Sequence, residues 1–232
     1  MKNFSSLASS YDKWYSTPLG KLCDKLEKDA VFSLADVKEG ELVLDISCGT
    51  GNYSLELKRR GARVIGLDIS SEMLSIAKKK AEREGLKIDF IRADAAKPPF
   101  KNNSFDLITS ILILEFSDKP DKMIEGWKNL LKPGGRMVVG FLNRYSLWAL
   151  KRGLKAIFKE SIWRRARFYS ANEMQKLLAD AGLKSIELRE VIYFPPLENR
   201  LFLNVLKLIE KFGKRFLSGL GAFIAIKGEK SP

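Results

Sequence analysis

Apolar and polar positions follow two alternating periods along the chain. Short runs rich in β-branched and aromatic residues are separated by longer segments in which apolar residues recur every three or four positions. This alternation is typical of a parallel sheet covered by helices. The pattern predicts seven strands, at Leu42–Ile46, Arg63–Leu67, Lys87–Arg92, Phe105–Ile111, Arg136–Phe141, Ser185–Tyr193 and Ala222–Lys227.

Capping and stop signals predict three of the helices. Thr17 with Pro18 suits a helix start, and Ser170 with Glu173 has the spacing of a capping box. The helices are expected to begin after Thr17, Asp118 and Ser170. The helix after Asp118 should be stopped by Pro133-Gly134-Gly135 before the next strand, and the helix after Ser170 should end at Gly182.

Two amphipathic, basic stretches, Tyr145–Trp163 and Leu201–Leu217, occupy the last third of the chain. The pattern suits a membrane surface or a lipid-like substrate, and it also suits core-packing helices with solvated cationic faces. The apolar positions are Leu147, Leu150, Leu154, Ile157 and Phe158, then Leu201, Val205, Leu208, Ile209 and Phe212; the flanking cations are Lys151, Arg152, Lys155 and Lys159, then Lys207, Lys211, Lys214 and Arg215.

The composition is that of a folded protein without histidine. Of 232 residues, 45% are hydrophobic and 30% are charged, which excludes disordered and collagen-like classes. The absence of histidine removes Ser-His-acid triads and most zinc sites, and two cysteines cannot build a disulfide framework. The net charge of +13 is concentrated in residues 141–232, with 18 Lys and Arg against 8 Asp and Glu.

No secretory signal or membrane span is predicted. The N-terminal segment has no apolar run after Lys2, and the most apolar windows are interrupted by charges well short of the roughly 20 residues that cross a bilayer. We therefore expect a cytoplasmic protein. It should form a single domain over 1–232, with an N-terminal lid and helix at 1–35, a cofactor-binding core at 40–142, and substrate-side helices with the last two strands at 143–232.

The loop after the first strand carries two glycines, Gly49 and Gly51. In a strand–turn–helix unit, glycines let the backbone approach a ligand closely, and free amides at the helix start favour polar or anionic groups. A dinucleotide fingerprint needs a third glycine three positions after Gly51, where this chain has Ser54. The pattern therefore predicts a cofactor and disfavours NAD.

Acids follow three successive strands, at Asp45, Asp68 and Asp94. The carboxyl ends of parallel strands meet at one edge of a sheet, where such folds bind ligands. Asp68 is placed to accept hydrogen bonds from both hydroxyls of a ribose, and Asp94 with the amide of Ala95 suits the polar edge of an adenine. The acids together suit an adenosine-type ligand that carries a sulfonium cation.

At these motifs the chain resembles the class I S-adenosylmethionine-dependent methyltransferases of the small-molecule type (methyltransferase type 11, ubiquinone/menaquinone methyltransferase-like). The matching segments are VLDISCGTGNYS, VIGLDISSEML, IRADAAKPPFKNNSFDLITS and NLLKPGGRMVV, within about residues 40–142. The resemblance implies S-adenosylmethionine as cofactor without a metal. It also implies a Rossmann-like, doubly wound α/β fold of seven strands, mostly parallel, with an antiparallel strand 7 between strands 5 and 6.

The resemblance also assigns roles to residues. Ser47 stands where the family often has glycine, which tightens the loop. The implied cofactor-binding residues are Asp45, Ser47, Gly49 and Gly51 around the methionine moiety, with Cys48 and Thr50 in the same loop, Asp68 and Ile69 at the ribose, and Asp94 and Ala95 at the adenine.

Catalytic candidates are few, because alignment supplies much of the catalysis in methyl transfer and a dedicated base is optional. Glu115, at the exit of the fourth strand, is a candidate base; its alternative is a surface acid. Tyr11 and Tyr15, with Trp14, lie on the segment where the family has a lid, and the alternative is a hydrophobic seal over the sheet edge.

The predicted acceptor is a small, apolar, lipid-like or anionic molecule, with peripheral membrane contact. A second hypothesis is an RNA methyltransferase, since the basic last third could contact phosphates. Against it, SILILEF lacks the Asn/Asp-Pro-Pro-aromatic element that grips a flipped base, and no cysteine pair is placed for pyrimidine attack. A third hypothesis is a regulatory protein that binds the cofactor without turnover.

Overall fold

The structure is a computed structural model that describes residues 8–158, 162–196 and 203–232. The helices are α1 (Ala8–Ser16), α2 (Pro18–Ala35), α3 (Asn52–Arg59), α4 (Ser71–Arg83), α5 (Pro120–Leu130), α6 (Leu147–Phe158), α7 (Ala171–Asp180) and α8 (Leu203–Phe216). The strands are β1 (Leu42–Ile46), β2 (Arg63–Asp68), β3 (Asp89–Arg92), β4 (Phe105–Ile111), β5 (Leu131–Leu142), β6 (Leu183–Val191) and β7 (Phe223–Lys230). Short 3-10 turns lie at Leu114–Phe116 and Ile162–Arg165.

The strands form one sheet in the order β3-β2-β1-β4-β5-β7-β6. β7 is antiparallel to both of its neighbours, and the other pairings are parallel. This confirms the predicted Rossmann-like α/β fold and its antiparallel seventh strand. The carboxyl ends of β1, β2, β4, β5 and β6 consequently meet the start of β7 at a single edge.

Buried cores cover both faces of the sheet. Trp127 of α5 and Met174 of α7 belong to the core on one face. Phe32 of α2 and Trp148 of α6 belong to the core on the other. Because side chains alternate along a strand, neighbouring residues of β1 serve opposite faces: Val43 joins the second core and Leu44 the first.

The predicted caps of α2 and α7 are confirmed. The Thr17 hydroxyl accepts a hydrogen bond from the amide of Gly20 at 3.0 Å. At α7 both capping-box bonds are present: the Ser170 hydroxyl accepts from the amide of Glu173 at 3.2 Å, and the Glu173 carboxylate accepts from the amide of Ser170 at 2.8 Å.

The strand boundaries match the prediction at β1 and β4 and differ elsewhere. β3 begins at Asp89 instead of Lys87, at the edge of the sheet where only β2 pairs with it. β6 ends at Val191 instead of Tyr193 because Ile192 has a φ of 69°, which breaks an extended strand and is rare for a β-branched residue. β7 runs to Lys230, beyond the predicted Lys227.

The prediction that Pro133-Gly134-Gly135 lies before the fifth strand was wrong. β5 begins at Leu131, which pairs with Phe105, and regular pairing resumes between Arg136 and Leu107. The intervening residues form an irregularity in the strand, with Gly134 at a φ of 73°. A proline–glycine run that would end a helix thus becomes a bulge in the pairing of two interior strands, β4 and β5.

In the part of the chain that the structure describes, no helix combines the length and the apolar character that a membrane crossing requires.

Candidate functional site

The candidate site is a cleft at the carboxyl edge of β1 and β4, beneath α1. Its floor is the loop after β1, and its walls come from α1, the start of α3 and the end of β4. The lining residues are Tyr15, Asp45, Ser47, Cys48, Gly49, Thr50, Asn52, Tyr53, Ile111 and Leu112. The structure therefore brings the predicted loop residues from Asp45 to Thr50 together with the predicted lid residue Tyr15.

The loop follows an unusual backbone path that leaves room beside it. Ser47, Gly49 and Gly51 have φ values of 59°, 54° and 82°, all in the left-handed region. A Cβ on Gly49 would meet no atom within 4 Å, so the backbone there borders open space. The Ser47 hydroxyl oxygen is enclosed and has no hydrogen-bond partner among the described residues. The loop therefore presents backbone and an unused hydroxyl to a ligand.

Asp45 is buried beneath the loop, with 2% of its surface exposed. Its carboxylate accepts hydrogen bonds from the hydroxyl of Ser54 at 2.6 Å and from that of Thr109 at 2.9 Å. Burial raises the pKa of Asp45 to about 6, although both hydroxyl bonds oppose the rise. A carboxylate that has lost its hydration through burial is stabilised by a nearby cation.

Asp68 attaches the end of β2 to the loop. One carboxylate oxygen accepts from the amide of Gly49 and the other from that of Ser70, both at 2.9 Å. Burial raises the pKa of Asp68, while the amide bonds to Ser70, Gly49 and Ile69 lower it. Through the Gly49 bond, Asp68 holds the loop after β1 against the end of β2.

The remaining predicted residues follow β2 and β3, outside the cleft lining. The Asp94 carboxylate accepts from the amide of Ala96 at 2.9 Å, which fixes the turn after β3. Ala95 is fully buried, and its carbonyl accepts from the indole nitrogen of Trp127 at 2.7 Å. The Ile69 carbonyl accepts from the guanidinium of Arg92 at 3.1 Å.

An ion pair that the sequence analysis missed holds α1 over the cleft. One Asp12 oxygen accepts from the hydroxyl of Thr50 at 2.8 Å, and the other lies 2.6 Å from the ammonium of Lys80 in α4. The same ammonium donates to Asn52 at 2.8 Å. No local pattern marks a contact between residues 38 positions apart.

The lid aromatics face different spaces. The rings of Trp14 and Tyr15 meet edge to face, with centroids 5.0 Å apart. Tyr15 lines the cleft, whereas Trp14 lines a neighbouring cavity. The side chain of Tyr11 lies outside the described residues.

Glu115 is buried, with 1% of its surface exposed, so the alternative of a surface acid was wrong. One carboxylate oxygen accepts from the amide of Leu142 at 2.8 Å. The other is enclosed and, within the described ranges, has no partner. Burial raises the pKa of Glu115 to about 7, against the Leu142 amide bond and the charge of Arg152. Glu115 does not line the cleft.

A second cavity lies farther along the same sheet edge. It is bounded by the ends of β5 and β6, the start of β7, and the helices α1, α2 and α6. The lining residues are Trp14, Cys23, Glu27, Leu142, Trp148, Arg152, Ile192, Ala222 and Phe223. No local sequence pattern marks this cavity, because its lining residues come from six separate segments.

Comparisons with known proteins agree with this architecture. A family described as Methyltransferase domain matches residues 44–139. An uncharacterised protein of Methanocaldococcus jannaschii is 31% identical over 230 residues, which cover 99% of this chain and 100% of that protein. A Bartonella bacilliformis protein named Ubiquinone biosynthesis O-methyltransferase is 34% identical over 184 residues, covering 75% of this chain and 72% of its own length.

Among solved structures, a Thermotoga maritima protein shares the fold. It is described as a SAM-dependent methyltransferase and possible histamine N-methyltransferase. The two superpose with a TM-score of 0.76 at 24% identity, covering 98% of each chain.

The raised pKa of Asp45 predicts a pH-dependent gain in stability for Asp45→Asn. The folded-state value of about 6 lies above the ordinary 3.8, so the wild type loses stability as pH rises through 6. A neutral amide avoids this loss and can still bond both hydroxyls. At pH 7 the free energy of unfolding should rise by up to about 3 kcal/mol, and the gain should disappear below pH 4, as measured by denaturant unfolding.

Asp106→Asn is the matched control with the opposite sign. Its pKa is lowered: bonds from Lys132 and the Leu42 amide outweigh the opposing effect of burial. This variant should be destabilised at pH 7, and the difference should shrink as pH falls. Destabilisation of Asp45→Asn at pH 7 would contradict the account of Asp45 given above.

Loss of the Asp12 ion pair should loosen α1 and weaken ligand binding in the cleft. Asp12→Asn should reduce affinity for S-adenosylhomocysteine roughly three- to tenfold, because a charge-assisted contact to Lys80 is lost. Calorimetric titration measures this change. Asp29→Asn, which removes an exposed helical ion pair with Lys25, should bind like the wild type. Equal affinities for all three proteins would show that the pair does not hold the lid.

Proposed function

Because the chain belongs to the class I S-adenosylmethionine-dependent methyltransferases, we propose that it methylates a small, lipid-like acceptor at the surface of an anionic membrane. The single observation that carries the acceptor class is the exposure of apolar side chains on α6 and α8. The name of the Bartonella bacilliformis relative, which refers to ubiquinone biosynthesis, supports the same class.

The residues of the cleft fit S-adenosylmethionine. The ligand carries two cations, an ammonium and a sulfonium, and the cleft offers the buried carboxylate of Asp45 and the unpartnered hydroxyl of Ser47. The open space beside Gly49 accommodates close approach to the backbone. In our proposal the segment from Asp45 to Gly51 holds the methionine end. Asp68 and Ile69 hold the ribose, and Asp94 and Ala95 hold the adenine.

When bound, S-adenosylmethionine supplies an activated methyl group, and the protein orients the acceptor in line with it. Tyr15 closes the cleft and excludes water from the transfer. Glu115, the candidate base, lies outside the cleft lining and accepts a hydrogen bond from the amide of Leu142 at the end of β5; in our proposal it acts as a positioning residue for that strand end. Tyr11, one turn before Tyr15 on α1, remains a candidate for the same closure.

The exposed large apolar side chains of the described residues fall in two segments of the chain. Every large hydrophobic side chain that is strongly exposed there lies in α6, in α8 or beside them. Large exposed apolar patches mark interaction sites on proteins. The residues, here called the apolar face, are Tyr145, Leu147, Leu150, Leu154, Val205, Leu208, Phe212, Phe216 and Leu220.

The apolar face includes most of the predicted amphipathic stripes. Core packing uses other residues: α6 buries Trp148 and Ala149, and α8 buries Leu206. The alternative that both stripes pack into the core is therefore wrong, although Ile209 is half-buried. The side chains of Ile157, Phe158, Lys159 and Leu201 lie outside the described residues.

Both helices are docked on the segment after β6. The indole nitrogen of Trp148 donates to the carbonyl of Phe194 at 2.8 Å, and the Glu210 carboxylate accepts from the amides of Ile192 and Tyr193 at 3.1 and 2.9 Å. Exposed cations flank the apolar face on each helix, at Lys151 and Lys155, then at Lys207, Lys211, Lys214 and Arg215. An apolar stripe with a cationic border matches the interface of an anionic bilayer.

Methyl transfer to a lipid should depend on Asp68. Wild-type protein incubated with trideuteromethyl-labelled cofactor and a total lipid extract should transfer the label to a lipid-soluble product, identified by mass spectrometry. Asp68→Ala should bind the cofactor at least about tenfold more weakly, because bonds to a charged acceptor are lost. Asp89→Ala, an exposed acid at the start of β3, is the matched control and should retain activity.

Transfer to total RNA in a parallel reaction, with no labelled lipid, would contradict the acceptor class. Cofactor binding without any transfer would favour a regulatory protein.

Vesicle sedimentation tests the membrane surface. The protein should bind phosphatidylglycerol-containing vesicles, less so at high salt, and should not bind phosphatidylcholine alone. The double variant Leu208→Asn with Phe212→Asn should bind at least about tenfold more weakly, because buried apolar area is lost. Lys79→Asn with Arg83→Asn, an exposed cationic pair on α4, should have little effect. Equal binding of wild type and the first double variant would refute the assignment.

A further inference from the structure

The second cavity contains a guanidinium with an unused donor. Arg152 of α6 turns inward, and its central carbon lies 5.2 Å from the centre of the Trp148 ring and 4.9 Å from that of Trp163. Both contacts are within cation–π range. The nitrogen Nη1 is fully enclosed, yet it has no hydrogen-bond partner among the described residues. The indoles thus orient the guanidinium, and within the described ranges its Nη1 donor is left without an acceptor.

The carboxyl groups around Arg152 are poor counter-ions. Glu27 of α2 lines the same cavity and is buried, but no ion pair within 4.0 Å joins it to Arg152 in the described structure. Burial raises the pKa of Glu27 to about 8 and that of Glu115 to about 7. Because burial disfavours the ionised form of Glu27, this carboxyl group is a weak counter-ion for Arg152. A buried charge without a partner is costly, so the site favours an anion.

The second cavity and the cofactor cleft are neighbours. It lies at the same edge of the sheet as the cofactor cleft, and adjacent residues of α1 face the two spaces: Trp14 lines the cavity and Tyr15 lines the cleft. The cavity has room for a group about the size of one water molecule, which suits an oxygen atom of a larger ligand. The indoles of Trp14 and Trp148 form aromatic walls beside it.

We propose that Arg152 binds an anionic oxygen, a carboxylate or a phenolate, of a flat aromatic acceptor that extends from this cavity toward the cofactor cleft. The identification of that ligand as the acceptor rests on the proposed function. The presence of an anion site at Arg152 does not depend on the proposed function. Arg152 then selects acceptors by charge and anchors one end of the ring system, while α1 covers the other.

The test uses benzoate and its neutral isostere benzamide as probes. Each is titrated into the full chain saturated with S-adenosylhomocysteine, and binding is followed by quenching of tryptophan fluorescence. Benzoate should bind wild type at least about tenfold more tightly than benzamide does, because only benzoate offers Arg152 a charged oxygen pair. Arg152→Met should bind benzoate at least about tenfold more weakly, and Arg152→Lys should be intermediate.

The matched control is Lys155→Met, which removes an exposed cation from the same helix and should bind benzoate like the wild type. Thermal unfolding establishes that each variant is folded. The inference is overturned if folded Arg152→Met retains benzoate affinity, if the wild type does not distinguish the two probes, or if it binds neither. If Arg152→Met does not fold, the comparison of Arg152→Lys with Lys155→Met locates the site, and a wild type that does not prefer benzoate still overturns the inference.

Binding of S-adenosylhomocysteine is measured separately. If that ligand does not bind, the proposed function fails, and the preference of the unliganded protein for benzoate still decides the anion site. If it binds and benzoate selectivity is absent, only the role of Arg152 fails.

Discussion

The buried carboxylate of Asp45 is the constraint on which the cofactor cleft depends. It stands on β1, accepts a hydrogen bond from Ser54 on α3 and another from Thr109 on β4, and so joins the three elements that surround the loop. Each bond partly offsets the cost of burying the charge. The loop between β1 and α3 adopts left-handed conformations at Ser47 and Gly49, and in this conformation the Gly49 amide donates to the Asp68 carboxylate.

Much of the fold and of the cofactor cleft could be predicted because the determining signals are local. β1 and β4 are apolar runs flanked by polar turns, and both were predicted with their observed ends. The capping box at Ser170 is readable for the same reason. The predicted start of β5 was wrong because Pro133-Gly134-Gly135 is locally typical of a break in a regular element. The pairing of Leu131 with Phe105, which begins the strand earlier, is a tertiary contact.

The contacts that complete the candidate site were not predictable in this way. Asp12 reaches Thr50 and Lys80 only after α1 folds over α4, and the second cavity assembles Glu27 and Arg152 from helices far apart in sequence. The amphipathic stretches posed a different difficulty. Their periodicity predicts two faces for each helix. Which face meets the core depends on the segment after β6, where the Phe194 carbonyl accepts from Trp148 of α6 and the Ile192 amide donates to Glu210 of α8.

The adjacency of Trp14 and Tyr15 on one short helix has a consequence for the order of events during turnover. Because α1 roofs both spaces, a ligand that displaces it to enter one space also changes access to the other. The Asp12–Lys80 ion pair holds α1 in place, and so it positions Trp14 at the second cavity as well as Tyr15 at the cleft. A ligand that moved α1 on entering one space would therefore change the affinity of the other space, and by reciprocity the two ligands would alter each other's affinity by the same factor.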